Sequence, residues 1–221
     1  MKYKYIPLII GLGFITLSNS NAQNLNFGVF AGYDIVNIHE IPLHPNAKGP
    51  PYNPMKSYNL NCFISYKSKS FWGLSVEPGF MQKGGFCGVN NSCRWELNYL
   101  QIPVLADIYI FHRFFLSVGP EFSYMTSAKA VSDYQGHNQT DDIYSIYNKK
   151  FELSGFIGIN CMITNVIGIG LGYNHGLTYI DKVPLYDYPW KLTGWTKLYN
   201  QYLQIKMSFR IQSIELRNIK K

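Results

Sequence analysis

The sequence predicts an all-β fold, an eight-stranded antiparallel up-and-down transmembrane β-barrel, and three observations carry that prediction. Wherever its hydrophobicity is periodic the period is two, not 3.6. The connections between periodic segments alternate in length, short then long. The polar face of those segments is made of small residues with few charges, whereas a soluble surface is about a quarter to a third charged.

Taken in order, the chain opens MKYKYIPLIIGLGFITLSNSNAQ, with Lys2 and Lys4, an apolar run from Ile6 to Leu17, and small residues ending at Ala22. That order reads as a secretory signal peptide over residues 1–22. The run is roughly twelve residues long, short of the about 20 that a membrane-crossing helix needs. Loss of the two lysines lowers the formal charge from +7 to +5. This excess is spread along the chain, which argues against a nucleic-acid partner.

Strands follow at about 25–33, 58–66, 72–83, 97–110, 114–127, 150–162, 166–179 and 203–211. The last, LQIKMSFRI, shows the rule most plainly: Leu203, Ile205, Met207, Phe209 and Ile211 take one face, Gln204, Lys206, Ser208 and Arg210 the other. The same alternation puts Asn26, Gly28 and Gly32, then Asn59, Asn61 and Ser65, on the polar side of strands one and two. Gly73, Ser75, Glu77 and Gly79 follow on strand three, and Gln101 and Asp107 on strand four. Ser117, Gly119, Glu121 and Ser123 mark strand five, Glu152, Ser154, Gly158 and Asn160 strand six, and Gly168, Gly170, Gly172 and Asn174 strand seven. Small residues suit the interior of an eight-stranded barrel, which side chains must fill. The glycines of GIGLGY leave room there for larger neighbours; with no helix after them they are not a nucleotide loop.

The opposite face carries Leu60, Ile64, Leu74, Val76, Leu100, Ile102, Val104, Leu116, Val118, Ile157, Ile159, Ile167, Ile169 and Leu171, with no charge. One Lys or Arg there costs about 2–4 kcal/mol in mid-membrane, so the face reads as lipid-exposed. Aromatic residues gather at strand ends, with Tyr66, Phe71, Trp72, Tyr109, Phe111 and Phe114 at the turn end. Tyr33, Tyr58, Phe80, Tyr124, Phe151, Tyr173, Tyr179 and Tyr199 lie toward the loops, giving two interfacial girdles.

The short turns are 67–70, the stretch around Phe111 to Arg113, and Thr164-Asn165. The long connections, 34–57, 84–96, 128–149 and 180–198, read as mobile surface loops where an extracellular ligand would bind. Residues 23–211 make the barrel domain and 212–221 a short periplasmic tail. Pro78 and Pro120 each remove a ladder donor, and a bulge is expected near each.

Cys87 and Cys93 bracket CGVNNSC and are candidates for a disulfide. A zinc site would need two further clustered ligands, so no metal is expected. Cys62 and Cys161 lie in apolar-alternating stretches, as small hydrophobes. Glu77, Asp107, Glu121, Glu152, Lys206 and Arg210 face inward from different strands, close enough in a narrow barrel to form buried pairs that plug it. A gate or proton path is the sharper reading of the same six residues. No cofactor motif is present, and the histidines, His39, His44, His112, His137 and His175, form no local triad. His175, with Ser154 or Ser123 across neighbouring strands, is the best candidate base, against the plainer reading of a polar residue at the water interface. An enzyme is not expected.

The segments LSVEPGFMQKGG, LNYLQIPVLADIYI, FFLSVGPEFSYMTSAKA, FELSGFIGINCMI and VIGIGLGYNHGLTYI, in that order, resemble the PorT-like outer-membrane β-barrel family of Bacteroidetes. LNYLQIP, Leu97 to Pro103, preceded by QKG at Gln82 to Gly84, is the most specific part. The resemblance spans about residues 25–211 and implies a cell outer-membrane location, with outer-membrane lipid around the barrel and the barrel-assembly machinery as a partner during biogenesis. The chain departs from the pattern in its long proline-rich first loop and in continuing past Ile211, which would place the assembly signal internally at Met207 to Ile211. A structural, adhesive or surface-binding role is expected. A secretion-accessory component and a lipid-modifying enzyme are the alternatives.

Overall fold

The structure, a computed structural model, describes residues 22–43, 52–87, 91, 93–134, 137–187 and 191–215. The region read as a signal peptide lies outside these residues, apart from Ala22. Twelve antiparallel strands pair among the described residues: β1 (Ala22–Pro42), β2 (Tyr52–Asn53), β3 (Met55–Ser68), β4 (Trp72–Val76), β5 (Gly79–Cys87) and β6 (Cys93–Tyr109), then β7 (Phe114–Tyr134), β8 (His137–Asp142), β9 (Phe151–Met162), β10 (Ile167–Gly176), β11 (Asp181–Asp187) and β12 (Lys191–Glu215). β4 and β5 both pair with β3 and β6 and make one wall. The ring then runs β1, β3, β4/β5, β6, β7, β9, β10, β12, and β12 pairs back onto β1. That is a closed eight-stranded barrel, with β2, β8 and β11 added to walls at the loop end.

Closure follows from the alternation. Leu60, Ile64, Val118, Ile157, Ile159 and Leu171 are between 44% and 62% exposed on the outer face, while Asn59, Asn61, Ser117, Gly158 and Asn160 are buried inside. An apolar outer face in hydrocarbon leaves no water for an unpaired edge, and a closed ring has no edge. The interior is tight: a Cβ on Gly172 would lie 2.4 Å from the Phe156 ring, which takes the space the glycine leaves. Thr164 Oγ1 accepts the amides of Val166 at 3.1 Å and Ile167 at 2.9 Å and so locks the turn between β9 and β10.

The walls are far longer than the alternation of apolar and polar residues indicates. β1 and β7 run 21 residues each and β12 runs 25, where a tilted membrane-crossing strand needs about 9–11. Much of 34–57, 84–96, 128–149 and 180–198 is therefore ladder-paired wall and hairpin, not loop. Residues 44–51, within the first of these stretches, lie outside the described set. At the other end β12 continues through 212–215, with Glu215 paired to Asn24, so the part of the tail that is described belongs to the sheet.

No bulge forms at Pro78 or Pro120. Val76 and Gly79 keep one register with β3 and one with β6, and the Pro120 region holds its register with β9. Pro78 breaks the strand between β4 and β5 without shifting it, because its carbonyl still accepts the Cys62 amide at 2.9 Å and the Glu77 amide reaches the Pro103 carbonyl at 3.0 Å. Register shifts lie elsewhere, at Ala22/Asn24, Phe27/Gly28, Asn98/Tyr99 and Leu185/Tyr186.

Cys87 and Cys93 face each other at the tip of the β5–β6 hairpin with Cα atoms 5.2 Å apart and are joined as a disulfide. Closing a loop this short stabilises by about 2 kcal/mol in the chain-entropy account. Cys62 and Cys161 are free thiols. Alkylating the purified, denatured chain without reductant should therefore add two labels and, after reduction, four. Intact mass reads this directly, and four labels without reductant would remove the bridge.

Candidate functional site

Inward-pointing side chains fill the barrel in layers, and the chemistry of the layers changes from the turn end to the loop end. Nearest the turns, Lys206 Nζ lies 3.2 Å from Glu77 Oε1 and 4.7 Å above the Phe30 ring. Beside this pair, Ser117 donates to Asp107 at 2.6 Å and itself accepts from Asn160 at 2.9 Å. Val36, Met55, Met81, Leu105, Phe156 and Tyr202 form an apolar layer above.

Next comes a buried ionic cluster centred on Lys83. Its ammonium lies 3.0 Å from Glu121 and 3.3 Å from Glu152, and all three side chains are at most 1% exposed. Glu121 also accepts from Ser123, from Ser154 and, at 2.5 Å, from the Tyr202 hydroxyl. The second oxygen of Glu152 takes the Asn200 amide at 2.7 Å. One cation between two carboxylates leaves an excess negative charge in a dry interior, and these neutral donors make it tolerable. Asp34, fully buried on β1, takes the Asn59 amide at 2.6 Å.

The loop end of the interior is apolar. Ile38, Leu97, Tyr99, Met125, Ala128, Tyr147, Ile180 and Leu198 converge from several walls, with Trp95, Ile143 and Val183 packed against them. Tyr147 belongs to no strand. It lies in the segment 143–150 that bulges out of the wall between β8 and β9, both paired with β7, and its ring turns into this layer. Burial pushes the Tyr147 phenol well above its usual range, as do Asp181 and Tyr52.

The six inward charges foreseen from the alternation thus end in different places. Glu77 meets Lys206, whereas Glu121 and Glu152 meet Lys83 and not Lys206 or Arg210. Asp107 pairs with a hydroxyl, and Arg210 has no ion pair among the described residues. Lys83 was missed, although the signal is present: the inward series Ser75, Glu77, Gly79 continues in steps of two to Met81 and Lys83.

The pairing of His175 with Ser154 or Ser123 does not form. Both serines point into the lumen, while His175 lies on the other side of the wall beside Tyr173, whose hydroxyl is 3.3 Å from His175 Nδ1, and His39, 5.9 Å ring to ring. Adjacent positions in a strand face opposite sides, and Asn174 and Gly176 are the inward ones.

Residues 21–182 match the outer membrane protein β-barrel domain. The chain belongs to that family. No curated protein matches it. Among solved structures, Neisserial surface protein A is similar at 12% identity and a TM-score of 0.51, over 84% of this chain and 97% of that one. The attachment invasion locus protein Ail of Yersinia pestis follows at 14% identity and a TM-score of 0.42, over 85% and 99%. The outer membrane protein OprG from Pseudomonas aeruginosa matches at 12% and 0.41, over 87% and 98%. At these identities the likeness is one of fold.

This outer-membrane barrel therefore has lipid around its apolar belt. Short turns face the periplasm and the extended walls face outward. Replacing Lys83 by Met should lower the unfolding free energy by about 3–5 kcal/mol, because it strands two buried carboxylates. Adding Glu121→Gln and Glu152→Gln to Lys83→Met should restore most of the loss. Urea titration of the barrel in vesicles measures both, and equal stability of wild type and Lys83→Met would show that the cluster contributes nothing.

Proposed function

We propose that this protein is a sealed barrel that acts at the cell surface, as an adhesive or surface-binding element, and not as a conduit. The observation that carries this reading is the apolar cap at the extracellular end, from Ile38 to Leu198, stacked on the buried Lys83 cluster. A solute would have to break both layers. The working surface is then the outside of the walls and hairpins that stand clear of the membrane.

That surface has a chemical bias. Lys182 and Lys197 are direct cross-strand partners on β11 and β12, an arrangement that like charges disfavour. Lys149 lies 3.3 Å from the Tyr179 ring centroid and Lys197 5.3 Å from it, while Lys182 sits over Trp195 at 4.9 Å. Hydrogen bonding from Lys149, together with its positive charge, holds the Tyr179 phenol below its usual range. Three lysines around two aromatic rings favour a polyanionic partner.

The likeness of Leu97 to Pro103 to PorT-like barrels supports a second reading, an accessory component of a protein secretion system in a Bacteroidetes cell. In either role, biogenesis runs through the barrel-assembly machinery, with Met207 to Ile211 as the internal signal.

Vesicles carrying the purified barrel should swell in arabinose no faster than empty vesicles. They should bind immobilised dextran sulfate at physiological salt and lose that binding with Lys149→Gln, Lys182→Gln and Lys197→Gln combined. Porin-like swelling would overturn the sealed reading. Co-purification with secretion components, without polyanion binding, would favour the accessory role.

A further inference from the structure

The periplasmic mouth of the lumen holds a cavity of ≈ 150 Å³ that neither the plug nor the extracellular surface uses. In its floor Glu77 is paired with Lys206, and the Asp107 carboxylate, without an ion pair among the described residues, takes the Ser117 hydroxyl. Its rim is basic, with Lys67 from β3, Arg113 from the turn before β7 and Arg210 from β12.

These cations are poorly occupied. Lys67 Nζ reaches the His112 carbonyl at 3.4 Å and lies 4.1 Å from the Tyr109 ring centroid, and Arg113 Nη1 donates to the Ile163 carbonyl at 3.2 Å. Arg210 Nε is shielded from solvent and donates to nothing among the described residues. None of the three has an ion pair there. A buried donor without an acceptor costs free energy, about 1–3 kcal/mol and more on a charged group. Like charges crowded around one cavity add to that cost, and an anion between them relieves both.

We propose that this vestibule is a binding site for a phosphate-sized oxyanion entering from the periplasm. The planar guanidinium of Arg210 offers a fork that matches two phosphate oxygens, and Lys67 supplies a point charge at the rim. One water needs about 10–15 Å³ of such a cavity, so it has room for a tetrahedral oxyanion with a short substituent. The shared chemistry is a phosphate group, whether free or on a phospholipid headgroup.

Thermal unfolding of the purified chain in a zwitterionic detergent, followed by circular dichroism, tests this with inorganic phosphate and with glycerol 3-phosphate against chloride at equal ionic strength. The expected result is a saturable rise in Tm with a phosphate compound, and an apparent affinity about tenfold weaker in Arg210→Gln, the loss of one charge-assisted contact of about 1.4 kcal/mol. Lys67→Gln, at the half-exposed rim, should weaken binding similarly, which keeps the test decisive if Arg210→Gln does not fold. Lys182→Gln, on the extracellular wall, should bind as wild type does. Stronger binding of glycerol 3-phosphate assigns the site to a headgroup, and equal or weaker binding assigns it to the free anion. No phosphate-specific rise, or the same rise in the variants as in wild type, would overturn the proposal.

Discussion

Everything in this molecule depends on the seam between β1 and β12. In hydrocarbon an unpaired amide or carbonyl has no water to turn to, so the first and last strands of the sheet must find each other. They do so over almost the whole of β1, from Asn24 opposite Glu215 to Pro42 opposite Thr196, with one bulge at Phe27/Gly28. Eight walls closed this way leave a bore that side chains must fill, so the inner face cannot repeat one residue type. Phe156 fits because Gly172 is bare, and the Lys206 chain passes because Gly170 is.

Closure also sets the electrostatics. A charge in the bore is cut off from water, and desolvation outweighs attraction unless each ion is both paired and hydrogen-bonded. The Lys83 cluster meets that condition with a cation, two carboxylates, hydroxyls from Ser123, Ser154 and Tyr202, and the Asn200 amide, contributed from four walls. A cluster of this kind is weak evidence for net stability. Its physical consequence is specificity, since a one-residue slip of β5 would turn Lys83 out of the bore and leave Glu121 and Glu152 without their cation. The apolar layer above needs no such arrangement and holds together by packing alone.

The membrane belt was legible in the sequence because there the two faces differ in polarity: Val118 and Phe122 outside, Ser117 and Glu121 inside. Beyond the outer aromatic girdle the polarity reverses. On β6 the inward residues change from Asp107 and Gln101 to Tyr99 and Leu97, and the outward ones from Ile102 and Leu100 to Asn98, Glu96 and Arg94. On β1 the inward series runs Asp34, Val36, Ile38. A search for apolar-outside alternation stops where the sign changes, which is why the extended walls read as loops. Lys83 was lost at the same boundary, one step beyond Met81. The partners of individual charges were not legible either, because pairing across the bore depends on stagger between walls, and local periodicity carries no information about it. The prolines misled for a related reason: register is fixed by the ladders on both sides, and one missing donor does not shift it.

The seam can be tested directly. In a background with Cys62 and Cys161 replaced by Ala, Ala31→Cys and Met207→Cys place two thiols on the outer face at directly opposed positions of β1 and β12. Oxidation should link them within one chain, giving a barrel whose fast gel mobility survives heating until reductant is added. Pairing Ala31→Cys with Ile211→Cys, four residues along β12 and so roughly 13 Å off register, should give no link. Crosslinking of the second pair and not the first, or of neither, would contradict a barrel closed by β1 and β12 in this register.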